Sequence, residues 1–126
     1  IYPHQPLTKK IEKSIQKAFK IGEERILTQD IEYSIDQLVT IAIRAMTEDV
    51  RDIFTANSCI DYLGNALCQL CQKEIPSMYY QDQEGQLRLI IKQMTFHGLV
   101  DSAFNQIRQS SKDIPSIIIH LLETIA

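Results

Sequence analysis

Residues 41–56 read IAIRAMTEDVRDIFTA: an apolar run interrupted by Arg44, a mostly charged segment, and a second apolar run. Upstream, Ile31, Ile35, Leu38, Ala42 and Ala45 recur every three or four residues, the period of a helix with one buried stripe. Val39, Ile41, Ile43 and Met46 widen that stripe past half the circumference, so a helix from about Gln29 to Met46 is expected at the centre of the fold. Downstream, Asp52 is placed to cap a helix from Ile53 to about Gln72 that buries Ala56, Ile60, Leu63, Leu67 and Leu70. A carboxylate suits that position because it accepts the unpaired amides of the first turn. The charged segment is then a corner between two core helices. It leaves open whether Arg44 and Asp52 serve only that corner or also a site.

Towards the N-terminus, Thr8 is expected to cap a helix reaching about Lys20, with Ile11, Ile15, Ala18 and Phe19 on one face and Gly22 ending it. Lys10, Lys13, Lys17 and Lys20 line another face. Such a basic amphipathic pattern suits an anionic membrane surface or an acidic partner, although most lysine stripes are simply solvated. Towards the C-terminus, Gly64 marks a close helix contact. Residues 78–91, MYYQDQEGQLRLII, set aromatic and β-branched residues around a polar DQEG turn, which predicts a hairpin. Thr95 caps a helix to about Ser110 that buries Phe96, Leu99, Val100, Ala103, Phe104 and Ile107. Asp113 with Pro115 starts a last helix, whose Ile114, Ile117, Ile118, Leu121, Leu122 and Ile125 are expected to face the core. The expected fold is mainly α: a compact bundle of about five helices with one small β-hairpin near residues 78–92, all in one domain over residues 1–126.

A chain of 126 residues, 44% hydrophobic and 23% charged, fits one globular domain. The net charge of −3 and the pI near 5.6 give no field that would gather a phosphate backbone, which argues against nucleic acid as a partner. No apolar run approaches the roughly 20 residues needed to span a bilayer, so the segment is expected to be soluble by itself. Because it opens on Ile1, it is expected to be a piece of a longer protein.

The odd set Cys59, Cys68 and Cys71 points to a reducing compartment rather than a disulfide framework. CQLC at 68–71 lies late in its helix, away from the amides that activate redox pairs, and lacks further ligands for zinc, so all three cysteines are expected to pack as small apolar residues. No metal or cofactor is expected. The glycines are scattered singly, and neither Glu48, Asp49 and Asp52 nor Asp82 and Glu84 have the spacing of a calcium loop. His4, His97 and His120 give no nucleophile–base spacing, and the last two read as surface residues. No catalytic residue is assigned, which leans away from an enzyme. If a ligand site exists, its candidates are Arg25, Asp30, Arg44, Asp52, Asp101 and Arg108, drawn together from several helices. Arg44 also has Glu48 one turn on as a local partner, and Asp101 and Arg108 share a helix face with Asn105 between them.

Several short motifs occur in one order: Gly22, Arg25, Gln29 and Asp30; Leu38 through Ala45; Asp52, Thr55 and Ala56; CIDYLG at 59–64; Gly85 with Arg88 and Leu89; and FNQIRQ at 104–109. With these, residues 22–126 resemble the C-terminal soluble domain of an uncharacterised family of predicted bacterial membrane proteins with several N-terminal transmembrane helices. Where the family pattern reads S-P-G-x-N-D-P, this chain has Thr47, Glu48, Asp49, Val50, Arg51, Asp52 and Ile53. An activity carried by that loop would be lost or changed here. The resemblance implies an upstream transmembrane segment of the same chain as partner, possible homo-oligomers and a place at the bacterial inner membrane. The five lysines from Lys9 to Lys20 favour the cytoplasmic side. The role it implies is interaction, assembly or ligand sensing without catalysis; the alternative is an enzyme or small-ligand site built on the Arg/Asp cluster around Arg44 and Asp52.

Overall fold

The computed structural model describes residues 7–20, 22–26, 30–74, 77–92 and 95–126. Among them the elements follow in the order α1 (Lys9–Ala18), α2 (Ile31–Ala45), α3 (Ile53–Cys71), β1 (Tyr79–Gln81), β2 (Leu87–Ile90), α4 (Phe96–Ser110) and α5 (Pro115–Ile125). Among the described residues the fold is mainly α, with five helices and one small hairpin, as expected. His4 and Gln29 lie outside the described residues. Contacts divide the described chain into two units, one drawn from Ile1–Glu24 and Ile75–Gln93, the other from Arg25–Glu74 and Met94–Ala126.

The larger unit holds the core. Ile35, Val39, Ala42 and Ala45 of α2, Ala56, Ile60, Leu63 and Leu67 of α3, Leu99, Ala103, Phe104 and Ile107 of α4, and Ile117 and Leu121 of α5 are all buried. α2 packs mainly against α3 and α4, and α3 also packs against α5, so α2 and α3 form the centre. The alanines let the helices approach closely, and truncating a larger member such as Ile60 or Leu63 costs about 2–5 kcal/mol in cores of this kind. A Cβ built on Gly64 would lie 2.5 Å from Thr124 Cγ2, so the close contact expected there is the α3–α5 crossing.

Three helix starts fall where side chains satisfy the first amides. Asp30 Oδ1 accepts from Tyr33 N–H at 3.1 Å, Asp52 Oδ1 from Thr55 N–H at 3.1 Å and Thr95 Oγ1 from Gly98 N–H at 3.1 Å. α5 differs from expectation: its cap is Ile114 rather than Asp113, and no side chain caps it. Pro115 in the first turn removes one amide that would otherwise need a partner.

The apolar stripes of α2 and α5 are covered less widely than their periodicity predicts. Ile31 and Ile41 of α2 are exposed, as are Leu122 and Ile125 of α5. Periodicity marks a face as apolar without saying that a neighbour covers all of it. Cys59 is buried, whereas Cys68 and Cys71 are exposed. Ile60, Leu63 and Leu67 already occupy the inward face of α3, and successive helical residues turn by about 100°.

In the smaller unit, β1 and β2 pair antiparallel, with Tyr79 opposite Ile90 and Tyr80 opposite Leu89 before the register shifts. The DQEG turn is closed by Asp82. Its Oδ1 accepts from Glu84 N–H at 3.0 Å and Gln86 N–H at 2.9 Å, and its Oδ2 accepts from Arg88 Nε at 2.6 Å. The Gln86 amide first, then the Arg88 guanidinium and the Glu84 amide, hold the Asp82 carboxyl below the usual range. Gly85 sits at φ 77°, open to glycine without a Cβ penalty. α1 buries none of its residues, Thr8 makes no side-chain cap bond, and the helix ends because Phe19 turns extended. α1 therefore ends at Ala18, short of the Gly22 expected to end it.

Candidate functional site

The α2–α3 corner is held by its own backbone. Thr47 Oγ1 donates to Arg44 O at 2.9 Å, Arg51 N–H donates to Thr47 O at 2.9 Å, and Asp52 N–H reaches back to Ala45 O at 2.8 Å. This path forces Arg51 to φ 45°, the left-handed region that costs a side chain about 1–2 kcal/mol. Asp52 then closes the corner onto α3, its Oδ2 accepting from Thr55 Oγ1 at 2.6 Å. The Thr55 hydroxyl, followed by the Thr55 amide, lowers the Asp52 carboxyl from its ordinary range.

Opposite lies the α4–α5 corner, built around Ser111, which is fully buried. Ser111 Oγ donates to Arg108 O at 3.1 Å, its amide donates to Ile107 O at 2.9 Å, and its carbonyl accepts from Ile114 N–H at 2.9 Å. Between the two corners is a polar cavity of about 580 Å³, with Thr47, Glu48, Arg51 and Ile53 on one side and Ser110, Asp113, Ile114, Pro115 and Ser116 on the other. Its charges are mixed, two carboxylates against one guanidinium, beside the hydroxyl-bearing Thr47, Ser110 and Ser116. Such a mixed polar lining can hold a small polar molecule.

A second concavity, of about 250 Å³, runs between α4 and α5. Val100, Phe104, Ile118, Leu121, Leu122 and Ile125 form its apolar wall, and Asp101, Asn105 and Arg108 its polar edge. Arg108 donates to Asn105 Oδ1 at 2.9 Å, while Asp101 lies 3.4 Å from His97 Nε2. A third, of about 320 Å³, includes Asp61, Cys68 and His120 at the α3–α5 crossing. His120 Nε2 is 2.8 Å from Asp61 Oδ1, so this half-buried histidine ties two helices together instead of standing free on the surface. Among the described residues, no group of three or more His, Cys, Asp and Glu is placed to hold a metal ion.

The six candidate polar residues fall in separate places. Arg25 Nε binds Asp30 Oδ2 at 2.6 Å at the start of α2 and lies 5.3 Å from the Tyr33 ring centroid. The Arg25 hydrogen bond lowers the Asp30 carboxyl, with the Tyr33 amide adding to it; the Asp30 hydrogen bond raises the Arg25 guanidinium. Asp101 and Arg108 share the α4–α5 groove. Asp52 is a helix cap. Arg44 is exposed on the last turn of α2, and among the described residues no ion pair joins it to Glu48. α2 ends at Ala45, so the expected one-turn pairing would need a turn of helix that is not there. Sequence reasoning missed Ser111, the His120–Asp61 pair and the cavity between corners, because each joins residues that no helical spacing relates.

A model of the family described as "Predicted membrane protein (DUF2254)" matches residues 1–126. Similar curated proteins are uncharacterized proteins of Mycobacterium bovis and of two strains of Mycobacterium tuberculosis, each 28% identical over 106 residues, 84% of this chain. The match spans only 20% of those relatives' own length. No solved structure matches.

Proposed function

This chain belongs to the DUF2254 family of predicted membrane proteins, and from that premise we propose that it is an extramembrane helical module serving assembly or interaction, without catalysis of its own. No helix among the described residues is long and apolar enough to cross a membrane. The observation that carries the reading is the α4–α5 groove, where Leu122 and Ile125 are 66% and 58% exposed against an apolar wall bordered by Asp101 and Arg108. An apolar surface with a polar rim is what a docking face requires. Its occupant is either the upstream transmembrane part of the same chain or a second copy, and the module stands on the cytoplasmic side. In the full-length protein held in lipid nanodiscs, Leu122→Glu with Ile125→Glu is expected to abolish cross-links between this module and its occupant while leaving helix content unchanged. Cross-linking that persists, or turnover on a hydrolase panel that Asp52→Ala abolishes, would sink the proposal.

The polar cavity between the two corners favours a second reading, small-ligand sensing. The S-P-G-x-N-D-P pattern of the resemblance falls on its α2–α3 wall, with Asn at the position of Arg51 and Asp kept at Asp52. Asn tolerates left-handed backbone far better than arginine, so the corner's path would be shared by relatives while its chemistry differs here. A thermal-shift screen of cationic and zwitterionic metabolites is expected to find a ligand whose effect disappears in Glu48→Ala and Arg51→Ala. A screen without such a ligand removes this reading.

A further inference from the structure

We infer that α1 is a surface-binding helix for an anionic lipid bilayer. Residues 9–20 carry five lysines and one glutamate, a local charge of +4 in a chain of net −3. The basic charge is therefore concentrated against an otherwise acidic molecule. At about 100° per residue, Lys10, Lys13 and Lys17 fall within one third of the circumference, and Ile11 and Ile15 lie together on a different arc. That apolar arc is only partly covered: no α1 residue is fully buried, Ile15 is half-buried, Ile11 is 49% exposed, and Phe19, directly after the helix, is 60% exposed.

A short helix with a cationic arc beside an exposed apolar one fits the headgroup boundary. Its apolar side enters the acyl edge while its ammonium groups stay at the level of the lipid phosphates. An isolated ten-residue helix is marginal in water, and a bilayer would supply the burial that α1 lacks. The choice of a bilayer over an acidic protein rests on the paired arcs, since lysines alone would serve the latter, and on membership of a predicted membrane protein family. The inference goes beyond the assembly role of the α4–α5 groove and shares no residue with it.

The test is co-sedimentation of the 126-residue chain with vesicles of phosphatidylcholine alone and of phosphatidylcholine with phosphatidylglycerol. Binding is expected only to the anionic vesicles, to fall as salt is raised, and to drop about tenfold or more in Lys13→Glu/Lys17→Glu. Ile11→Ser is expected to weaken binding at every salt concentration, because it removes insertion rather than charge. All three positions are exposed, so circular dichroism should be unchanged. The inference is overturned by absent binding, by equal binding to both vesicles, by full binding of the lysine variant, or by stronger capture on polyglutamate than on anionic lipid.

Discussion

The two corners that close the helical unit do the same job by opposite means. At the α2–α3 corner the polar work is done by exposed residues: Thr47 and Asp52 bond to backbone and to Thr55 while their surroundings stay open to water. At the α4–α5 corner it is done by Ser111, which is fully buried and has both backbone groups and its hydroxyl satisfied. A buried polar group must find every partner inside the protein, whereas an exposed one exchanges protein for water at little net cost. The first corner is therefore free to vary in sequence, and the second is not. That difference suits the cavity between them, which has one adjustable wall and one fixed wall.

The largest effect should come from adding bulk to the fixed side. Ser111→Leu inserts an oversized apolar group where no space remains and deletes the hydroxyl bond to Arg108 O, and is expected to destabilise the fold by about 1–3 kcal/mol. The same leucine introduced at exposed Glu48 should stay within about 0.5 kcal/mol. Urea denaturation of both variants measures the contrast. Equal losses at the two positions would break the comparison.

Smaller, and dependent on pH, is the loss of the Asp52 cap. Its carboxyl pKa is depressed in the folded protein, so its contribution is present above the unfolded value of about 3.9 and is lost as pH falls through the lower folded value. Asp52→Ala is thus expected to lower the melting temperature at neutral pH, by less than Ser111→Leu, and the gap to the parent is expected to narrow under strongly acidic conditions as the charge-dependent part is lost. Asp52→Asn should retain only the part of the stability that does not depend on charge, because its amide oxygen still accepts the Thr55 N–H. A gap that does not narrow in acid would mean that the cap acts through something other than its charge.

The adjustable corner was far more legible in the sequence than the fixed one. Asp52, Thr55 and the flanking apolar periods are near neighbours, so the cap and the two helices could be read from spacing. Nothing local distinguishes Ser111 from the exposed Ser110 beside it; only the meeting of α4 with the start of α5 buries one and not the other. The same holds for His120 and Asp61, which lie 59 residues apart, and for Leu122, whose apolar character named a face without naming its cover. Of the candidate site, the Arg25–Asp30 ion pair and the shared groove of Asp101 and Arg108 involve residues close enough in sequence to be anticipated. The cavity is formed by two corners more than fifty residues apart, and no pattern of residue types announces it.

The smallest expected effect runs in the opposite direction and probes how adjustable the first corner is. Arg51 holds φ 45° with its backbone amide committed to Thr47 O and the next amide to Ala45 O, so the strain is fixed by hydrogen bonds on both sides. Asparagine occupies this conformation at lower cost than arginine. Arg51→Asn is therefore expected to stabilise the protein by a few tenths to about 1 kcal/mol, with Arg51→Gly gaining less because glycine adds entropy to the unfolded chain. The two variants separate conformation from chemistry at one residue: both relieve the backbone, and both remove the guanidinium from the cavity wall. If the arginine is there for a ligand, the more stable Arg51→Asn protein should lose the thermal shift that the ligand gives the parent. A destabilised Arg51→Asn would instead show that the guanidinium itself holds the corner, and the contrast between an adjustable wall and a fixed one would fail.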